Sequence, residues 1–224
     1  MTSQLDPAVQ MPRDVSIQPK FPALPYDSAA SYLGAYADEM AQAWKTVDVV
    51  EFDRAAAILT DGYLRGARVF SCGNGGSASI ANHLVCDHTK GIRGKTDLLP
   101  RVGSLSNNVE LLTAIANDLS YEDIFAFQLQ SQGVPGDVLV AISSSGRSPN
   151  ILRALTWAKD NGLHTIAITG FEGGPAKDLA DVAIHFDCTN YGVVEDLHQA
   201  VMHALAQYIR QSRMTTDTIS TTVF

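Results

Sequence analysis

The fold is decided by the stretch Arg68-Val69-Phe70-Ser71-Cys72-Gly73-Asn74-Gly75-Gly76-Ser77, in which a short apolar run passes directly into a glycine-rich turn. The apolar run predicts a buried strand, and the turn predicts a helix that begins near Ser77. Glycines permit the sharp turn and let the backbone approach a ligand closely. Ser77 then lies at the start of the helix, where free N–H groups and the helix dipole favour an anion.

The same arrangement recurs after the apolar run 137–142, where Ser143-Ser144-Ser145-Gly146-Arg147-Ser148 is followed by Pro149 at the start of another predicted helix. Neither loop contains the Gly-Lys-Ser/Thr of a Walker A motif or the GxGxxG of a dinucleotide site. Either loop alone could be a turn with a helix cap. Because both occur where a strand passes into a helix, where α/β sheets bind ligands, we predict a site for a single phosphate group.

Along the rest of the chain, apolar runs alternate with segments of helical length, which is typical of a parallel sheet covered on both faces. We predict strands over 68–72, 101–105, 137–142, 165–168 and 182–186, and helices over 77–88, 121–132, 149–161, 175–180 and 193–212. Two further helices precede the first strand. The predicted fold class is α/β with a five-stranded parallel sheet and an N-terminal helical pair. The predicted organisation is an extended N-terminal arm (1–26), one domain (27–213) and a flexible tail (214–224).

Composition narrows the function further. The chain has 224 residues, 46% of them hydrophobic, and a net charge of -8, which argues against general nucleic-acid binding because a phosphate backbone requires a positive surface. No apolar run reaches the roughly 20 residues of a membrane span. Its three cysteines are far apart and lack CxxC spacing, which favours a reducing compartment. We therefore expect a cytoplasmic protein without nucleic-acid or membrane partners.

Two predicted helices carry histidines and carboxylates at helical spacing. His83 and Asp87 are four residues apart and share a face, and Glu195, Gln199 and His203 form a stripe of i, i+4 and i+8 positions. Such residues serve as general acids and bases or as ligands of a divalent metal. A single histidine on an amphipathic helix is more often a structural polar residue, and we assign that role to His88, His164, His185 and His198.

The motif order resembles that of SIS (sugar isomerase) domains, and most closely the phosphoheptose isomerase family. The resemblance covers about residues 28–212 and rests on the GNGGS block, the AIANDLSYEDIF segment from Ala114 to Phe125, the DVLVAISSSGRS block and the EDLHQAVMH segment. It implies a flavodoxin-like three-layer fold, a sugar phosphate substrate such as sedoheptulose 7-phosphate, a homotetramer with active sites between subunits, and one Zn²⁺ per subunit. The substrate-binding positions that it implies are Asn74, Gly75, Gly76, Ser77, Asp87, Asn117, Asp118, Ser143, Ser144, Ser145, Ser148 and Glu195.

By the same resemblance, the metal ligands fall on His83, Asp87, Glu195 and His203, and the catalytic groups on Asp87, His203 and Glu195. This chain has Asp87 where the family has Glu, and Glu195 where it has Gln. A carboxylate shortened by one methylene alters the reach of a base, and an added negative ligand tightens a divalent metal. The sequence therefore leaves open whether Asp87 or Glu195 is the base.

Two other functions remain open at the level of sequence. One is a non-catalytic SIS module that senses a phosphosugar or serves as an adaptor for the replication initiator, which would not need the carboxylate at residue 87 or the histidine at residue 203. The other is an isomerase of a different sugar phosphate. A panel of C5 to C7 ketose phosphates, assayed with and without Zn²⁺, separates the alternatives.

Overall fold

The computed structural model describes residues 21–224. The first two helices are α1 (Ala29–Trp44) and α2 (Val49–Arg65). Ser28 caps α1 through the N–H of Ser31, and Asp48 caps α2 through the N–H of Val50. α2 ends at Gly66, whose φ of 73° is the left-handed conformation that glycine adopts without strain. This is the predicted N-terminal helical pair.

Five strands and the remaining helices follow, and all strands are parallel. In chain order, these elements are β1 (Arg68–Gly73), α3 (Gly76–Cys86), a π-helical turn (Asp87–Ile92), β2 (Arg101–Ser104), α4 (Val109–Asp118), a 3₁₀ turn (Tyr121–Asp123), α5 (Ala126–Gln132), β3 (Val138–Ser143), α6 (Pro149–Asp160), β4 (His164–Thr169), α7 (Gly174–Leu179), β5 (Val182–His185), α8 (Tyr191–Ser212) and α9 (Thr216–Ser220).

The strand order β2-β1-β3-β4-β5 is that of a flavodoxin-like doubly wound sheet, which confirms the predicted fold class. Successive side chains of a strand face opposite sides of the sheet, so Val69 packs with α1, α2, α3 and α8, whereas Phe70 packs with α4, α5, α6 and α7. The order in which strands are added reverses between β1 and β3, because β2 lies on one side of β1 and β3, β4 and β5 follow on the other. Ligands of such sheets bind at this switch point, and both predicted loops lie there.

Some predicted boundaries differ from the structure. No helix was predicted over α4, where Leu111, Leu112, Ile115 and Ala116 nevertheless recur at helical spacing and pack against the core. The predicted helix 121–132 is divided into a 3₁₀ turn and α5. The predicted flexible tail instead contains the short helix α9, which Thr215 caps through the N–H of Thr218.

The predicted N-terminal arm falls mostly outside the described residues. Its last part, from Phe21, packs against the rest of the chain. Phe21 is 8% exposed, packs beside Tyr26, Tyr32 and Tyr36, and its carbonyl accepts a hydrogen bond from Asn190 at 3.4 Å. Within residues 21–224, no helix combines the length and the apolar character that a membrane span requires.

Candidate active site

A small cavity lies at the carboxyl ends of β1 and β3, between the two predicted loops. Its volume is about 120 Å³, which suits a phosphate group. The lining residues are Asn74, Ser77, Ile142, Ser143, Ser144, Ser145, Ser148, Tyr191 and Glu195. The structure thus brings seven of the predicted substrate-binding side chains together in one place, and we call this site the serine cradle.

The loop geometry leaves hydrogen-bond donors available to an anion. α3 begins after Gly75 and α6 begins after Ser148, and neither N-cap residue makes a side-chain capping bond. No side chain caps the N–H groups of Gly76 and Ser77 at the start of α3, which lie at the cavity end of the sheet. In α6, Pro149 has no N–H, and the N–H of Ile151 donates to Asn150 Oδ1 at 2.9 Å. Gly146 holds the second loop in a left-handed turn with φ 62°, where a Cβ would overlap the carbonyl oxygen of Gly173.

The two loops are joined by a reciprocal amide pair. Asn74 donates from Nδ2 to Asn150 Oδ1, and Asn150 donates from Nδ2 to Asn74 Oδ1, both at 2.9 Å. The hydroxyl of Tyr121 also donates to Asn74 Oδ1 at 3.0 Å. Asn150 is 1% exposed. Asn74 is therefore both a lining residue and the link between the loops.

Glu195 lies in the cradle and is half-buried on α8. Its carboxylate rests on the backbone of Gly76, the first residue of α3, and a Cβ at Gly76 would overlap it. A carboxylate in this position is stabilised by the positive end of the α3 dipole. Glu195 therefore occupies the kind of anion position that a phosphate would use.

The histidine cluster lies further along the same two helices. His83 Nε2 is 3.3 Å from Asp87 Oδ1, and His203 Nε2 is 3.3 Å from Asp87 Oδ2. The two imidazole rings meet edge to face, with centroids 5.1 Å apart. Gln199 Nε2 lies between them, 3.2 Å from His83 Nδ1 and 3.0 Å from His203 Nε2. The amide nitrogen of Gln199 is a donor, so each of these hydrogen bonds uses a ring nitrogen as the acceptor.

The geometry of this cluster fits a divalent metal. One atom each of His83, Asp87 and His203 lies within 4.8 Å of the others. Zinc bonds of about 2.0–2.2 Å in a tetrahedral site separate the ligand atoms by about 3.3–3.5 Å, which is close to the histidine–aspartate distances here. Glu195 is not in this group. It lies eight residues before His203 on α8, about 12 Å along the helix axis. Glu195 lines the cradle, and its place in the predicted ligand set remains a prediction.

Comparison with known proteins gives the family. Residues 32–170 match the SIS domain family. The chain is 36% identical over 158 residues to the phosphoheptose isomerase of Rhodospirillum rubrum, covering 70% of this chain and 84% of that protein. It is 38% identical over 170 residues to the phosphoheptose isomerase of Mycobacterium tuberculosis, covering 74% and 85%. The structure of phosphoheptose isomerase GmhA from Neisseria gonorrhoeae superposes with a TM-score of 0.74 at 29% identity, covering 81% of this chain and 96% of that chain.

The chain belongs to the phosphoheptose isomerase family of SIS domains.

Two predicted substrate contacts of this SIS domain lie outside the cradle. Asn117 and Asp118 end α4, are exposed, and are joined by a hydrogen bond from Asn117 Nδ2 to Asp118 Oδ1 at 2.8 Å. Neither residue lines the cavity. Their role in substrate binding remains a prediction.

The remaining histidines of this SIS domain lie outside the cluster. His88 and His198 are fully buried, and burial lowers their pKa to about 3 and about 4. The hydroxyl of Tyr63 hydrogen-bonds to Nδ1 of His88. His185 contacts the Thr169 hydroxyl at 3.1 Å, and burial lowers its pKa.

Sequence reasoning did not assign Asn150, Tyr121, Tyr191 or Gln199 to the site. Asn150 and Tyr121 act through Asn74, so only the folded arrangement of the loops reveals them. Gln199 could have been found, because it occupies the middle of the stripe formed by Glu195 and His203. Tyr191 is the first residue of α8 and carries no sequence signal of its own.

Proposed function

We propose that the protein interconverts sedoheptulose 7-phosphate and D-glycero-manno-heptose 7-phosphate through an enediol. The observation that carries the proposal is the alignment of the serine cradle and the histidine cluster along α3 and α8. Ser77 and Asp87 are ten residues apart, about 15 Å along the helical path. Helical side chains tilt toward the N-terminus, so the Asp87 carboxylate leans back toward the cradle. When the phosphate of the substrate is held in the cradle, its seven-carbon chain can extend toward the histidine cluster.

The reaction moves two protons and requires no redox partner. A carboxylate removes a proton from C1 of the ketose, the C1–C2 double bond of the enediol forms, and the proton returns to C2. A second group transfers the hydroxyl proton from O1 to O2. We assign the carbon proton to Asp87 and the oxygen proton to His203, since these two groups lie together at the far end from the phosphate.

Glu195 is the rival base, and its position argues against that role. It lines the cavity that would hold the phosphate, away from C1 and C2 of a substrate anchored there. We propose instead that Glu195 sets the charge of the cradle. Its carboxylate repels a phosphate dianion, so substrate binding requires the side chain to move away from the phosphate.

We propose that His83, Asp87 and His203 hold Zn²⁺. A metal at these ligands would polarise the carbonyl oxygen of the substrate. Asp87 has two oxygens, one toward each imidazole, so one can ligate while the other accepts a proton. Gln199 holds both imidazoles in place.

We also propose a homotetramer. α1 has 16 residues but buries only Ala43, whereas Leu33 is 67% exposed and Trp44 is 43% exposed. An exposed apolar helix face of this kind favours association with further copies. Light scattering coupled to size exclusion measures the state directly. A cytoplasmic location, expected from the cysteine pattern, remains a prediction.

The test is an isomerase assay with C5, C6 and C7 ketose phosphates on protein loaded with Zn²⁺. We expect turnover of sedoheptulose 7-phosphate, and slower turnover of shorter sugars because they do not span the distance from cradle to cluster. Preferred turnover of a C5 or C6 substrate would identify a different isomerase. Binding of these sugars without turnover would favour the non-catalytic SIS module.

A further inference from the structure

A second cavity lies at the opposite end of the sheet from the serine cradle. It has a volume of about 400 Å³ and lies between the end of α2, the starts of β1 and β2, and the segment 132–137. Three arginines line it: Arg65 ends α2, Arg68 begins β1 and Arg101 begins β2. Because all five strands are parallel, their amino ends meet here and their carboxyl ends meet at the cradle, so the two sites are separate.

Arg68 and Arg101 are direct neighbours in the sheet. They are register partners of β1 and β2, and adjacent strands are about 4.8 Å apart. Like charges placed side by side on neighbouring strands destabilise a sheet. Both side chains are exposed, so a bound anion can reach them and offset the repulsion.

Arg65 and Arg101 donate to backbone carbonyls at this cavity. Arg101 Nη1 donates to the carbonyl of Gly66 at 3.1 Å, and Arg65 donates to the carbonyl of Gly136 at 3.4 Å. These carbonyls hold the side chains at the rim without supplying charge. Arg65 also pairs with Asp61 at 2.8 Å. Among the described residues, neither Arg68 nor Arg101 forms an ion pair with a carboxylate.

The one carboxylate that lines the cavity is already engaged. Asp137 is 3% exposed, and its two oxygens accept the backbone N–H groups of Arg68 at 2.8 Å and Val134 at 3.0 Å. The positive charge is therefore in excess at this point of a chain whose net charge is -8. A guanidinium matches the geometry of a phosphate through paired N–H donors.

We propose that this cavity, the arginine cavity, binds a small phosphate-bearing anion such as a phosphate monoester or a diphosphate. The pair Arg68 and Arg101 would hold the phosphate oxygens, with Arg65 at the rim. β1 runs from Arg68 at the arginine cavity to Gly73 at the cradle. An anion bound in the arginine cavity would therefore contact the same strand that leads into the cradle.

The test is calorimetric titration of the full chain with inorganic pyrophosphate. We expect Arg68→Gln and Arg101→Gln each to weaken binding about tenfold or more, since each removes a charge-assisted bond. Ser148→Ala, in the cradle, should leave this binding event unchanged. Lys45→Gln, which removes an equal charge from the end of α1, is the matched control and should bind as the unaltered chain does.

Thermal unfolding supplies a second readout that a purely structural role would not produce. Without anion, Arg101→Gln should unfold at an unchanged or higher temperature, because the repulsion with Arg68 is relieved. With pyrophosphate, the unaltered chain, Lys45→Gln and Ser148→Ala should gain stability, and Arg68→Gln and Arg101→Gln should gain less. The proposal is overturned if binding is absent, if it survives both arginine substitutions, or if the arginines instead control self-association of the chain.

Discussion

The carboxylate of Glu195 rests on the backbone of Gly76 at the N-terminus of α3, so closely that a Cβ at residue 76 would overlap it. The two residues lie on different helices, and their contact closes one side of the serine cradle. Glu195 can stay there only while residue 76 lacks a side chain. The contact therefore fixes where the negative charge of the cradle lies.

Gly76→Ala should push the Glu195 carboxylate into the cavity and weaken binding of inorganic phosphate several-fold, with little loss of stability because the end of a flexible side chain moves. Equilibrium dialysis measures the binding. Gly34→Ala on α1 is the control, because a Cβ there meets nothing within 4 Å. The double variant Gly76→Ala/Glu195→Ala should restore binding, and failure of that rescue would show that the effect does not pass through Glu195.

Glu195→Gln should tighten phosphate binding several-fold to about tenfold, because it removes a negative charge beside a dianion in a partly enclosed cavity. Competitive inhibition of the isomerase by inorganic phosphate reports the change. Glu110→Gln, on the exposed first turn of α4, is the matched control. Unchanged or weaker binding in Glu195→Gln contradicts the proposed electrostatic role.

Asp87→Asn should lower the turnover of sedoheptulose 7-phosphate by about 100-fold or more, the range expected when a general base is lost. Phosphate affinity should remain unchanged, since Asp87 does not line the cradle. A steady-state assay separates the turnover number from KM. Full turnover by Asp87→Asn would remove this residue from the reaction and return Glu195 to the role of base.

Gln199→Leu should weaken Zn²⁺ binding by about 10–100-fold, the usual effect of losing a group that orients metal-binding histidines. The leucine keeps a similar volume but cannot donate to His83 or His203. Competition with a chromogenic chelator measures metal affinity without an activity assay. Gln207→Leu is the control, because Gln207 also lies on α8 but outside the set of residues that Gln199 joins by hydrogen bonds. Equal metal affinity in both variants would show that Gln199 does not position the imidazoles.

The buried histidines make the fold sensitive to acid. Burial lowers the pKa of His88 to about 3 and that of His198 to about 4, so the unfolded chain binds protons more readily below pH 6.5. The free energy of unfolding should therefore fall as the pH decreases from 6.5 toward 4, by up to about 1.4 kcal/mol per pH unit for each histidine. His198→Leu should reduce this slope. Urea unfolding at pH 7.5 and pH 5.5 measures it, and equal slopes in both proteins would contradict the assignment.

The fold and the cradle could be predicted because their signals are local. The apolar run ending at Cys72 and the glycines after it specify a buried strand and a tight turn within ten residues. The place of Glu195 could not be predicted in this way. Its spacing from His203 indicates a shared helix face, but only the packing of α8 against Gly76 shows that it belongs to the cradle and not to the histidine cluster.

The residues that sequence reasoning missed act through contacts between distant segments. Asn150 is 76 positions from Asn74 and Tyr121 is 47 positions from it. No pattern within either segment reports such a contact. The α4 helix differs, because Leu111, Leu112, Ile115 and Ala116 form an apolar stripe at helical spacing from which it could have been predicted.

The reciprocal amide pair of Asn74 and Asn150 also limits how this protein can be redesigned. Each amide donates to the other, so the loop after β1 and the start of α6 behave as one part. A loop grafted from a relative to alter sugar preference would leave a nearly buried amide without its partner unless both segments are exchanged together. Libraries aimed at new substrates should therefore vary the two segments as a single unit.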